Sequence, residues 1–124
     1  MIKGIGVDFV NIKRMERWCG NSRLLERFFC REELLHVSAM PKTMGQALAA
    51  RFAAKEAFGK ALGTGLAGFE MKNIMIKNDT NGAPHLQVTG SAQMALEKSG
   101  ADKVHISLSH EQDYAIAMIV LESI

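Results

Sequence analysis

Apolar positions recur first with period two, then with the period of a helix, then with period two again. In MIKGIGVDFV (residues 1–10), Lys3, Ile5, Val7 and Phe9 fall on one face of a strand, and Gly4, Gly6 and Asp8 on the other. From Ile12 the period lengthens. IKRMERWC reads as a short helix capped by Asn11. Gly20 and Asn21 break it, Ser22–Phe29 predicts a second short helix or turn, and CREELLHVSAM a third. Pro41 is tolerated in a first helical turn, and a long helix is expected from about Lys42 to Leu62, stopped by Gly63 and Gly65. FEMKNIMIKN then alternates again and ends at DTNGAP, where Asn81-Gly82 is a strong hairpin signal and HLQVTG the returning strand. SAQMALEKSG predicts a short helix with Ser91 as N-cap and Gly100 beyond its end. KVHISLSH and YAIAMIVLE close the chain as a hairpin through the EQD turn. This order predicts a small α+β domain over residues 1–124, with a long helix packed on a mainly antiparallel sheet.

Composition narrows the class. The chain has 124 residues, 48% apolar and 23% charged, which fits an ordinary globular domain. A net charge of +2 is too small to imply nucleic-acid binding. The charge is uneven, however. Lys13 to Arg31 holds six basic residues against two acids, a local +4 that leaves −2 for the rest. Such a segment is either a solvated helical face or a surface for an acidic partner. Cys19 and Cys30 have no metal-ligand spacing, so zinc is not expected, and two cysteines without a leader fit a reducing cytoplasm. No apolar run approaches the length that spans a membrane.

Candidate chemistry sits at three places. Gly4 and Gly6 leave space on the side of Asp8, for a ligand or for another backbone. In RFAAKEAFGKALGTG (residues 51–65), Ala53, Ala54, Ala57, Phe58 and Ala61 fall in an arc of about 200° to 340° counted from Arg51, a buried stripe. Arg51, Phe52, Lys55, Glu56, Gly59 and Lys60 fill the opposite arc, and Glu56 and Lys60 are i,i+4 neighbours. An amphipathic helix with one surface ion pair accounts for the charges but not for Phe52 or for Gly63-Thr64-Gly65. That run follows a helix C-terminus, so a phosphate there needs Lys60, loop amides or a cation. On the last hairpin, Ser107 and Ser109 share a face with His105, while Ile106, Leu108 and His110 share the other. Asp8 and Glu56, with no thiol or imidazole partner, suit a hard cation such as Mg²⁺, which is commonly held by one or two carboxylates and substrate phosphates.

GIGVDFVNIKRM, RFAAKEAFGKALGTG and ISLSHEQDYAIAMIVLE, in this order in a chain of this length, resemble the holo-[acyl-carrier-protein] synthases, the small bacterial 4′-phosphopantetheinyl transferases. NIMIKNDTNGAPHLQVTG and FFCREELL, with Glu33, add to the likeness, which covers nearly the whole chain. It implies transfer of 4′-phosphopantetheine from coenzyme A to a serine of apo-acyl carrier protein, with Mg²⁺, in fatty acid biosynthesis. It implies Asp8 and Glu56 as metal ligands, Glu56 and Lys60 as catalytic groups, and Lys60, Gly63, Thr64, Gly65, Ser109 and His110 at the coenzyme A site. Arg51 would meet the 3′-phosphate, and Arg14 and Arg17 would dock the acidic carrier protein. It further implies a cytoplasmic homotrimer with coenzyme A at the subunit interfaces, where a neighbour would cover Phe52. Asn11 departs from the acid common at its position. A non-catalytic coenzyme A or nucleotide binder and a Mg²⁺-dependent phosphohydrolase remain as alternatives.

Overall fold

The period-two pattern at the N-terminus forms β1 (Ile2–Asn11), and the carboxamide of Asn11 then accepts from the Arg14 amide at 3.1 Å to start α1 (Ile12–Trp18). Two further short helices follow, α2 (Ser22–Phe28) and α3 (Arg31–Ser38). A 3-10 turn at Pro41–Thr43 leads into α4 (Met44–Leu62). The rest of the chain is β2 (Ile74–Asn78), β3 (Pro84–Val88), α5 (Gly90–Lys98), β4 (Lys103–His110) and β5 (Tyr114–Glu122). The computed structural model describes residues 1–124.

Two antiparallel sheets result, one in the spatial order β1-β5-β4 and the other the β2-β3 hairpin. In the larger sheet Asp8 pairs with Ala117, and Ala117 with Leu108; one step along, Val10 pairs with Ala115, and Ala115 with His110. Side chains of such rows share a face. One face therefore carries Gly4, Gly6, Asp8 and Val10 beside Ala115, Ala117, Ile119 and Leu121, and α4 packs on it. The opposite face exposes Ile5, Val7 and Phe9 next to Ile116 and Met118.

The space expected beside Asp8 is filled by helix, not left open. A Cβ on Gly4 would overlap the Ala61 carbonyl, and one on Gly6 the Ala57 carbonyl. Two strand residues advance about 6.6 Å and four helical residues about 6 Å, so the glycine pair and the alanine pair stay in step. The small side chains of β5, Ala115 and Ala117, extend the same close approach across the sheet.

The far side of α4 departs from the expected solvated arc. Arg51, Phe52, Lys55 and Gly59 are all buried, and of that arc only Lys60 is exposed. The α1–α3 block covers it. Phe52 is covered by Trp18, Phe28 and Phe29 of its own chain, so it needs no neighbour to do so. Lys55 is fully buried; its ammonium donates to the Phe28 carbonyl at 2.8 Å, the Met71 carbonyl at 3.1 Å and Glu33 Oε1 at 2.6 Å. Glu33 in turn accepts from the Cys30 and Ile76 amides, each at 3.3 Å. One ion pair thus ties α2, α3, α4, β2 and the turn before β2.

Ser91 also departs from expectation. The helix begins two residues earlier, after Thr89, and the Ser91 hydroxyl instead donates to Asn73 Oδ1 at 2.6 Å and accepts from the Glu70 amide at 2.9 Å. No helix is long and apolar enough to cross a membrane.

Candidate functional site

The close approach of β1 and α4 decides which polar groups meet. Asp8 follows Gly6 on the inner face, where the next side chain no longer has to be absent. Lys60, one turn after Glu56, reaches back over the strand and donates to Asp8 Oδ1 at 2.9 Å and to the Val7 carbonyl at 3.0 Å. The Asp8 side chain is mostly covered while that of Lys60 is about half exposed. Glu56 completes the cluster. Burial, then a hydrogen bond from its protonated carboxyl to Asp8, then the Asp8 charge hold its pKa up at about 7, against the opposing pull of Arg14 and Lys60. Two carboxyls and an ammonium therefore converge where a strand and a helix cross, about 50 residues apart in sequence.

The Lys55 ion pair stands next to this cluster but faces the other way. Burial lowers the Lys55 pKa, and the Glu33 charge works against that shift. The helix wheel puts Lys55 on the arc opposite the buried stripe, yet it is buried. The signal for that burial was present: its neighbours on the wheel, Phe52 and Gly59, are not surface residues.

The Gly-Thr-Gly run is a helix stop folded back on itself. Gly63 takes the left-handed conformation with φ 82°. Its amide donates to the Lys60 carbonyl at 3.0 Å, while the Thr64 and Gly65 amides donate to the Gly59 carbonyl at 3.2 and 3.0 Å. These three amides are occupied, so the loop offers a ligand shape rather than N–H donors. Thr64 lines a cavity of about 590 Å³ with Leu62, Ala67 and residues of α5.

Ser109 and His110 lie at the end of β4, in a shallow pocket with Phe9 and Tyr114. The Gln46 carboxamide meets the His110 imidazole at 2.7 Å, a contact the sequence reading did not anticipate. Gln46 is ten residues before Glu56, about 15 Å along α4. Arg51 occupies a third place, a pocket of about 250 Å³ between α3, α4 and β2 that it shares with His36, Lys77 and Asn78. Its Nε is buried without a hydrogen-bond partner and stands 4.0 Å from Glu33 Oε2. Arg14 and Arg17 are both exposed on α1. The structure thus joins Asp8, Glu56 and Lys60, sets His110 of β4 beside Gln46 nearer the start of α4, and places Arg51 in a separate pocket.

No group of three or more His, Cys, Asp or Glu residues is arranged to hold a metal. The Asp8–Glu56 pair still fits a hard divalent cation whose remaining ligands come from elsewhere. Both donors are carboxyls, and they crowd each other enough to raise the proton affinity of Glu56.

Known proteins share the sequence pattern and fold of the whole chain. A family model of the 4′-phosphopantetheinyl transferase superfamily matches residues 4–119. The holo-[acyl-carrier-protein] synthase of Treponema denticola is 49% identical over 98% of this chain and 99% of its own. That of Clostridium acetobutylicum is 44% identical over 98% of both chains. Among solved structures, the Neisseria meningitidis synthase superposes with a TM-score of 0.89 at 38% identity, covering 99% of this chain and 100% of that one. The Bacillus anthracis synthase, solved in complex with coenzyme A (3′,5′-ADP), gives 0.83 at 33% identity over 99% and 98%.

Proposed function

The chain belongs to the 4′-phosphopantetheinyl transferase superfamily, and from that premise we propose that it is a holo-[acyl-carrier-protein] synthase that moves 4′-phosphopantetheine from coenzyme A to a serine of apo-acyl carrier protein. The observation that carries this reading is the convergence of Asp8, Glu56 and Lys60 at the crossing of β1 and α4. The serine oxygen forms a bond to the β-phosphorus while the pyrophosphate bridge breaks, and adenosine 3′,5′-bisphosphate leaves.

Each residue has a part that follows from its surroundings. Lys60 is fixed by Asp8 and the Val7 carbonyl, so its charge is in place before the pyrophosphate arrives and needs no reorganisation. Glu56 is the group that would take the serine proton as general base. Asp8 and Glu56 would hold Mg²⁺, which supplies Lewis-acid stabilisation of charge on the phosphates. Arg51, which lines a pocket with Glu32, Glu33, His36 and Lys77, would meet the 3′-phosphate. Gly63, Thr64 and Gly65 would border the coenzyme A site. Ser109 and His110 join the coenzyme A site at its far end. Arg14 and Arg17 lie in the +4 segment, which complements an acidic carrier protein.

The homotrimer with coenzyme A at its interfaces is part of the same reading. Two features support it: the contiguous exposed apolar face of Ile5, Val7, Phe9, Ile116 and Met118, and the spread of site residues along α4, which suits a long ligand shared between subunits. A cytoplasmic location fits the two free cysteines.

Mass spectrometry of an apo-carrier protein incubated with coenzyme A, Mg²⁺ and this protein is the test. A phosphopantetheine mass gain is expected. Coenzyme A hydrolysis without modification would make the protein a phosphohydrolase, and binding with neither product would make it a non-catalytic binder.

A further inference from the structure

Phe52 has no part in the chemistry above, yet it sits at the centre of an aromatic cluster. The Trp18 and Phe28 rings stack at 5.4 Å with 24° between planes. Phe52 meets both edge-on, at 5.3 Å from Trp18 and 5.5 Å from Phe28. The trio joins α1, α2 and α4. Its outer surface is not bare. The Arg14 guanidinium lies 5.5 Å from the Trp18 ring centroid and 5.6 Å from that of Phe52, so two aromatic groups hold one cation. Arg14 is exposed, whereas Phe52 is 4% exposed, so the cation marks where the cluster reaches the surface.

The place of Phe52 gives this contact a direction. Phe52 and Glu56 are i,i+4 on α4, side by side on one face and about 6 Å apart at their Cβ atoms. An arginine resting on Phe52 therefore stands one turn from the carboxyl that faces Asp8. A free arginine side chain on α1 could sweep a wide arc of solvent; the rings restrict it to the edge of the catalytic cluster.

We propose that Trp18, Phe28 and Phe52 form a positioning platform for Arg14, holding its guanidinium one helical turn from Glu56 so that the acidic surface of a docked carrier protein is gripped there and its acceptor serine is delivered to the catalytic groups. This rests on the transferase reading. Trp18 and Phe28 act through Arg14 and touch no reacting atom.

The test is steady-state transfer with coenzyme A and apo-carrier protein varied in turn. Trp18→Leu raises KM for the carrier protein about five-fold, the worth of a lost cation–π contact, and leaves kcat and KM for coenzyme A within about two-fold. Trp18→Phe, which keeps an aromatic face, restores the carrier KM. In the Arg14→Met background, Trp18→Leu adds nothing further, because the group it positions is gone. A general packing defect would lower kcat and disturb both substrates, and it would add to Arg14→Met; either outcome overturns the proposal, as does an unchanged carrier KM. If Trp18→Leu does not fold, Phe28→Leu removes the stack while keeping the tryptophan and is read the same way. Wild-type protein that transfers nothing overturns the function itself, whereas wild-type transfer with an unaltered Trp18→Leu overturns only the platform.

Discussion

Replacing Glu56 with glutamine should stabilise the protein while destroying its activity. The carboxyl is crowded by Asp8 and partly desolvated, which lifts its pKa from an ordinary 4.5 to about 7. A carboxyl that holds its proton more tightly in the fold than in the unfolded chain costs nothing below about pH 4.5. Stability is lost as pH rises from there and is fully lost above about 7. At 1.36 kcal/mol per pKa unit the gap bounds this loss at about 3 kcal/mol. The group is only half-buried, and solvent screening reduces the figure to about 1–2 kcal/mol. Glutamine carries no charge at any of these pH values and escapes the loss. Urea unfolding of wild type and Glu56→Gln, at fixed protein concentration from pH 4 to pH 8, should give a stability difference that grows by about 1–2 kcal/mol in favour of the variant and levels off above pH 7. Mg²⁺ added at pH 8 should stabilise the wild type more than the variant and narrow the difference. A variant whose relative stability falls or stays flat between pH 4 and pH 8 would refute the carboxylate crowding, and with it the reason for placing a cation there.

Three further outcomes follow from the packing. Lys55→Met leaves Glu33 charged, buried and without its main partner, and should cost about 3–5 kcal/mol by denaturant unfolding; adding Glu33→Gln, which keeps an acceptor for the Cys30 and Ile76 amides, should recover part of that. Gly6→Ala forces β1 off the Ala57 carbonyl and should cost about 1–3 kcal/mol and lower transfer more than stability, because Asp8 moves with the strand; normal turnover would show the approach to be slack. Phe9→Asp, on the exposed apolar face, should shift the protein to a smaller species in light scattering, and an unchanged mass would remove that face from any subunit interface.

The order of elements was legible because it rests on local signals: alternation in β1, Asn11 as a cap, Asn81-Gly82 in the hairpin loop. The pairing of Asp8 with Glu56 and Lys60 was legible as a set but not as a contact, since spacing along a chain says nothing of which helix crosses which strand. Gly4 and Gly6 were noticed for the right property, an absent side chain, and of the two occupants that property allows, a ligand or another backbone, the space holds the backbone of α4. The buried side of α4 was misread for a physical reason. A wheel ranks residues by polarity, and Arg51 and Lys55 rank as surface unless a counter-charge is known; theirs, Glu33, is some twenty residues away. Ser91 as an N-cap failed in the same manner, through a tertiary partner, Asn73, that outweighed the local rule.

Lys55 and Glu56 are adjacent on one helix and point about 100° apart, one into the densest part of the protein and the other into the site. This adjacency bears on which changes of length the gene can tolerate. A codon gained between Gly45 and Ala53 would turn the following residues by that same angle and present Lys55 where the carboxylate belongs, whereas a codon lost there would present Glu56 to the Glu33 cavity. Foldability and turnover would fail together at one step. Insertions in the turn after Asn78 meet no such coupling. Drift in chain length is therefore expected to accumulate in the loops, with the nineteen-residue span of α4 held constant as a ruler against which everything else is set.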